Sequence, residues 1–405
     1  MNRNEFLRTA ALAGWAASQR VVLAEDAPSV AKTDKPMAPP FQFTSQPLLQ
    51  HPTSDEMVVF VGVNRLATGW VEYGETPELG LRSAGDRGLM PLDPTLLKMR
   101  LSGLKPGTRY YYRVHACEID FRNAYSIHRG VEVRSELHEF TTFDPAAASA
   151  RISIINDTHE VAATLQGLAK LLAARPSDCL VWNGDMFNDI RSETQLSQQI
   201  LTPGGVALAA DRPLVPVRGN HDVRGAQARL LDKYFDLPVG LWYYTLRIGP
   251  VALLVLDTGE DKPDSAPVYA GLNDFAGYRT QQQQWLQTAL QRDAFKSAKF
   301  RVATMHIPLI WKERASAGDY CGDGRAKWHE LLVEHRIDVV ISGHTHEPGW
   351  FAPGQQAPYG QLVGGGPKPD AATLIEVHAD SQKLSLITSG LDGRERSRYE
   401  LTTRG

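Results

Sequence analysis

Apolar and polar positions alternate at two different periods along this chain, and the change falls near residue 150. Between 41 and 143, short β-type runs recur at 57–63, 69–73, 109–115 and 137–142, broken by turns. No helical period stands out there, so a sandwich of short antiparallel strands is the economical expectation. From 151 onward, apolar strand runs at 151–156, 179–183, 213–217, 251–256, 300–305 and 337–342 alternate with amphipathic stretches. Within 162–174, Leu165, Leu168, Leu171 and Leu172 share a helical face. So do Trp285, Leu286 and Leu290 within 280–291, and Trp328, Leu331 and Leu332 within 326–335. Strands separated by helices imply βαβ units around a central, mainly parallel sheet. Two further strands are expected at 373–377 and 383–387.

Composition refines this picture. A chain of 405 residues exceeds one ordinary domain and suits two. Residues 1–24 read as an export signal, with Arg3 and Arg8 before a short run of small apolar residues and Val22-Leu23-Ala24 as a cleavage site. The opening 2–8 resembles a twin-arginine signal with Asn4 in place of the second arginine. The expected location is therefore periplasmic or secreted. Segments 25–40 and 144–150 read as linkers. They leave 41–143 and 151–405 as the two domains. No apolar run approaches the ~20 residues that cross a bilayer. A net charge of −3 gives no general footprint for nucleic acid or an anionic membrane. Cys117, Cys179 and Cys321 form no CxxC pair, so neither a thiolate metal site nor a disulfide scaffold is indicated. Cys179 belongs to an apolar strand, whereas Cys321 lies in a Gly-rich loop and is expected at the surface.

Chemistry enters at the strand ends. The 151–156 run leads into Asp157-Thr158-His159, and 179–183 into Gly184-Asp185. The 213–217 run leads into Gly219-Asn220-His221-Asp222, 300–305 into His306, and 337–342 into Gly343-His344-Thr345-His346. Loops after the carboxyl ends of strands in an open α/β sheet share one edge, where ligands bind. In extended backbone, side chains at i and i+2 point the same way, so Asp157 and His159 are expected to face one site, as are His344 and His346. The glycines before Asp185, Asn220 and His344 permit tight turns and close backbone approach. Carboxylate, imidazole and amide donors without thiolate suit zinc, iron or manganese. Asp157, His159, Asp185, Asn220, His306, His344 and His346 exceed the ~4 ligands of one tetrahedral ion. They suit two metals sharing a carboxylate. Arg218 and Arg224 flank the central motif, and Asp257 ends the 251–256 run. These three are the candidates to meet substrate, with the polar loop 259–276 as a wall.

This motif set, in this order, resembles that of the calcineurin-like metallophosphoesterases, from 151 to the C-terminus. Leu101-Ser102-Gly103-Leu104-Lys105-Pro106-Gly107-Thr108-Arg109-Tyr110 resembles the corner of a fibronectin type III-like domain. The corner tyrosine, here Tyr110, bonds back to the chain entering its strand. A domain of that kind precedes the catalytic one in purple acid phosphatases. The resemblance implies a multidomain β plus α/β chain: an antiparallel fibronectin-like sandwich, then an α/β sandwich of central sheets flanked by helices. It implies two divalent or trivalent ions, iron, manganese or zinc. Asp157, His159 and His346 would hold one, Asn220, His306 and His344 the other, and Asp185 would bridge them. It further implies hydrolysis of small phosphate esters, monoester or diester, by a hydroxide between the ions. His221 would act as acid or stabiliser, with Asp222 fixing its tautomer. Two positions depart from the purple enzymes: His159 stands where they carry glycine, and Asn188 where they carry the chromophoric tyrosine. No tyrosinate-to-iron colour is expected. Two other readings compete. A nuclease-type phosphodiesterase is opposed by charge and export signal, and a non-catalytic binding or adhesion protein with a structural metal site is opposed by the intact His221-Asp222. Neither a nucleic-acid partner nor stable membrane insertion is expected, and the sequence leaves substrate and oligomeric state open.

Overall fold

A computed structural model describes residues 39–312, 318–354 and 356–403. The expected export signal at 1–24 lies outside them. All six apolar runs do become strands, five of them ending in motifs, but they divide between two sheets. Ala150–Ile155, Cys179–Asn183 and Leu214–Val217 lie side by side and parallel in a nine-stranded sheet. Val251–Val255, Phe300–Thr304 and Val339–Ser342 do the same in a six-stranded sheet. The single central sheet expected from the alternation is thus two, with three of these strands in each.

The two sheets share one core, in which Ile152, Ile154, Val181 and Val215 meet Leu253, Val255, Val302 and Ile341. Their other faces are covered by helices. Ala162–Ala174 buries Leu165, Leu168 and Leu172 against Ile155, Leu180 and Trp182. Phe275–Ala289 and Gly322–Glu334 bury Leu286, Trp328 and Leu332 against Leu254, Ala303 and Val340. Strands buried on both faces need uninterrupted apolar runs, which is why these six read as they do. Sequence reading missed the helix Glu193–Leu201, whose Ser192 hydroxyl caps Gln195 N–H at 3.1 Å. It also missed the antiparallel strand Tyr244–Ile248.

In 41–143, antiparallel strands form two layers around Val59, Val61, Val71, Leu97, Tyr112, Val114 and Phe140. The Tyr110 hydroxyl accepts the Lys105 N–H at 3.0 Å, the bond expected of it. One layer is continuous with the nine-stranded sheet. Leu48–Gln50 pairs antiparallel with Glu56–Gly62 and parallel with Leu214–Val217, at Gln50 and Leu214. Phe41–Gly405 is one compact unit. All three cysteines are buried and unpaired, including Cys321, which is only 5% exposed and abuts the helix Gly322–Glu334 instead of lying at the surface. Among the described residues, no helix is long and apolar enough to cross a membrane.

Candidate metal centre

Where the motif strands end, Asn183 Nδ2 donates to the Ile341 carbonyl at 3.2 Å and ties the two sheets together. Around that junction two groups of side chains converge: Asp157, His159, Asp185 and His346, and Asp185, His306 and His344. Within each group the ligand atoms lie within 4.8 Å of one another. Asp185 belongs to both. Its Oδ2 is 3.4 Å from His159 Nε2 and 3.1 Å from His306 Nε2. Its Oδ1 is held by the His221 N–H at 2.9 Å. Asn220 joins through Oδ1, 2.9 Å from His344 Nδ1. All seven expected ligands are therefore brought together.

The backbone reaches this arrangement differently from the extended alternation expected. Asp157, His159, Asp185, His344 and His346 all have positive φ, from 43° to 71°. Such conformations cost non-glycine residues ~1–3 kcal/mol each and persist only where the surroundings enforce them. Asn220 is right-handed helical and His221 opens a 3-10 turn, so their divergence also has a helical cause. The motif glycines are there because of close approach. A Cβ on Gly184 would lie 2.4 Å from His306 Nδ1, on Gly219 2.2 Å from Asp185 N, and on Gly343 2.2 Å from Asp157 Oδ2.

Surrounding groups aim the donors. Asn156 Nδ2 donates to Asp157 Oδ2 at 2.6 Å and His344 N–H donates to the same oxygen at 2.8 Å, which leaves Oδ1 facing inward. His306 Nδ1 donates to the Asn183 carbonyl at 2.9 Å and His344 Nε2 to the Gly318 carbonyl at 2.7 Å. These bonds fix the tautomers that leave His306 Nε2 and His344 Nδ1 to the centre. Asp157 Oδ1 and His306 Nε2 are buried without a hydrogen-bond partner. Unsatisfied donors of opposite sheets pointing at one point are the arrangement a cation satisfies. Electrostatics agree. Burial opposes it, yet the Asp185 and Asp157 charges raise His306 to about 10. Asp185, despite burial, is held well below the usual carboxylate range by His306. Burial lowers His159 and His344, whereas the neighbouring Asp157 carboxylate raises His346. The centre thus concentrates negative charge that positive charge must balance. The donor set and its geometry fit two metal ions sharing Asp185.

His221 lies beside this centre, its ring 4.8 Å from that of His159 and edge-on to it. The expected pairing with Asp222 is not made. His221 Nδ1 donates to the Asn188 carbonyl at 2.7 Å, and Arg224 Nη1 donates to His221 Nε2 at 3.0 Å. The Asp222 carboxylate, fully buried, instead accepts the N–H groups of Gly219, Met186 and Phe187. Burial and the Asp185 charge raise its pKa against the pull of those donors. Two residues expected to meet substrate are bound to each other. Asp257 is fully buried, with Oδ2 taken by Arg218 Nε at 2.9 Å and Oδ1 by Gly259 N–H at 2.8 Å. Arg218 in turn packs over Trp242 and Tyr278. Arg224 remains at the centre's rim, gripped by Glu260 and Asp261. Sequence reading offered Asn183 and Asn188 as supports and missed Asn156, Gly318 and Glu260. Asn188 and Gly318 act through backbone carbonyls, which no side-chain pattern reveals.

Residues 150–348 match the family model described as calcineurin-like phosphoesterase. The human serine/threonine-protein phosphatase CPPED1 is 26% identical over 170 residues, covering 40% of this chain and 51% of that protein. Purple acid phosphatase 21 of Arabidopsis thaliana is 24% identical over 306 residues, covering 70% of this chain and 60% of that protein. The chain thus spans about half to three-fifths of the length of these curated relatives. Among solved structures, purple acid phosphatase PPD1 from yellow lupin (Lupinus luteus) seeds shares the fold. It matches with a TM-score of 0.66 at 15% identity, over 88% of this chain and 74% of that one.

Proposed function

The chain carries a calcineurin-like phosphoesterase domain at residues 150–348, and from that premise we propose that it hydrolyses small phosphate esters at a centre of two metal ions. The observation that supports this best is Asp185 Oδ2, set between His159 on one side and His306 on the other. In this reading Asp157, His159 and His346 would hold one ion, Asn220, His306 and His344 the other, and Asp185 would serve both. Iron, manganese and zinc suit these donors. When bound, the pair of ions neutralises phosphoryl oxygens and makes a water nucleophilic near neutral pH.

The chain's own residues supply the rest. His221 keeps its Nδ1 proton on the Asn188 carbonyl, so Nε2, which accepts from Arg224 Nη1, is the nitrogen that would take up a proton as the imidazolium and pass it to the leaving oxygen once Arg224 turns to the phosphoryl group. Arg224, beside Nε2, adds a fixed positive charge where the phosphoryl group stands. Asp222 holds the turn that places His221 and takes no proton-transfer role. The substrate is a small monoester or diester. Segment 41–143 is read as a fibronectin type III-like domain, and the export expected from 1–24 as part of the same proposal.

The test is reconstitution with manganese, zinc or iron, followed by assay on monoesters and diesters with metal content measured in parallel. His221→Ala is expected to retain its ions and lose ~10²–10⁴ in kcat, and Asp185→Ala to lose both ions and turnover. A His221→Ala protein stripped of metal overturns the assignment.

A further inference from the structure

Beside His221 the fold builds a cavity of about 510 Å³. Asp189, Val223, Arg224, Val268, Tyr269 and Leu272 are among its lining. Two connections join it to the centre. Arg224 lines the cavity while its Nη1 reaches His221 Nε2 at 3.0 Å. Asp189 follows Asn188, whose carbonyl holds the other nitrogen of the same ring.

The walls are strapped together. Arg224 Nη2 donates to Glu260 Oε2 at 2.6 Å and to Asp261 Oδ1 at 3.0 Å. The Tyr269 hydroxyl donates to the same Glu260 oxygen at 2.9 Å. Arg279 Nη2 and Nε donate to the Glu260 and Thr258 carbonyls at 2.6 and 2.8 Å. Loop 259–274 is therefore fixed against the 221–229 turn before any ligand arrives, which lowers the ordering cost of binding. At the rim, Val268 and Leu272 are 73% and 68% exposed. Single exposed apolar residues need no explanation. These two, with Val223 and Tyr269, line one cavity together with the charged Arg224, Arg229, Glu260 and Lys262.

This inference rests on the hydrolytic reading. If His221 Nε2 protonates the leaving oxygen, the leaving group is the part of the substrate next to His221. We propose that the cavity between the 221–229 turn and the 259–274 loop receives that leaving group and selects esters of alcohols with an apolar body.

The test uses ethyl phosphate and 2-phenylethyl phosphate, whose alcohols have similar acidity, so that chemistry is matched and burial differs. The metal-loaded full chain is expected to favour the phenylethyl ester at least about tenfold in kcat/KM. In the Val268→Ser/Leu272→Ser double variant that ratio is expected to fall to about two or less. Ile127→Ser, on the strand Ser126–Arg134, is expected to keep it. Calorimetric binding of 2-phenylethylphosphonate against ethylphosphonate provides a readout independent of turnover. Equal kcat/KM for the two esters, or a double variant with the wild-type ratio, overturns the proposal. If neither ester is hydrolysed, the hydrolytic reading fails, and loss of the phosphonate preference in the double variant then decides the cavity by itself.

Discussion

Asp222 accepts hydrogen bonds from three backbone N–H groups, of Gly219 at 2.8 Å, Met186 at 2.9 Å and Phe187 at 3.2 Å. Those amides belong to the loops after two neighbouring strands, so its carboxylate joins the Asp185 loop to the His221 turn. Removing it leaves three buried donors unsatisfied, and Asp222→Ala is expected to cost ~2–3 kcal/mol of stability, measurable by thermal denaturation of metal-free protein. A residue that only oriented His221 would lower turnover and leave the melting temperature unchanged. The sequence made the ligands legible because each follows an apolar run. It made the His221–Asp222 partnership look natural because the two are adjacent. In a 3-10 turn adjacent side chains diverge, and His221 is held by a carbonyl 33 residues away. The same holds for Asp257: its place at a strand end suggested substrate, while its contact with Arg218 is a buried ion pair.

At the scale of elements, strands, helices and the order of motifs were readable from periodicity alone. Ala162–Ala174 and Cys179–Asn183 have the bounds their patterns suggest. Which sheet each strand joins was not readable, because Cys179–Asn183 and Val251–Val255 are buried throughout in different sheets. A doubly buried strand carries no mark of its neighbours. The left-handed turns at the strand ends were equally hidden, since only glycine advertises positive φ in a sequence and five ligands adopt it. The loops depend on close approach at Gly219, where a Cβ would meet Asp185 N at 2.2 Å and Oδ1 at 2.3 Å. Gly219→Ala is expected to displace Asp185 and lower metal affinity ~10–100-fold, read by competition with a chelating indicator. Unchanged affinity would show that the loop tolerates the shift.

Across the whole molecule, segment 41–143 is bound to the rest by charge as well as by the shared sheet. Asp236 N–H donates to Gln50 Oε1 at 2.9 Å, and its carboxylate meets His51, Lys98 and Arg100. Burial would raise Asp236, but His51, Lys98 and Arg100 outweigh it and hold its pKa well below the usual value. A carboxylate depressed by folding contributes stability that is present above its unfolded pKa of ~3.9 and lost as pH falls below that toward the folded value. Melting temperature is therefore expected to drop steeply below about pH 4, and Asp236→Asn to flatten that acid limb while costing ~2 kcal/mol at neutral pH. An unaltered acid limb in the variant would remove Asp236 from the account. The sequence placed a domain boundary at 144–150 from texture, and it could not show that Gln50, a polar residue near the N-terminus, would stitch across it. The central claim is a pair of metal ions working as one catalytic unit around Asp185. It is met most directly by titrating metal-free protein with manganese while following phosphate-ester hydrolysis. The account expects the rate to rise with the second equivalent per chain and to level at two. A rate that saturates at one equivalent, or full turnover without added metal in chelator, contradicts it.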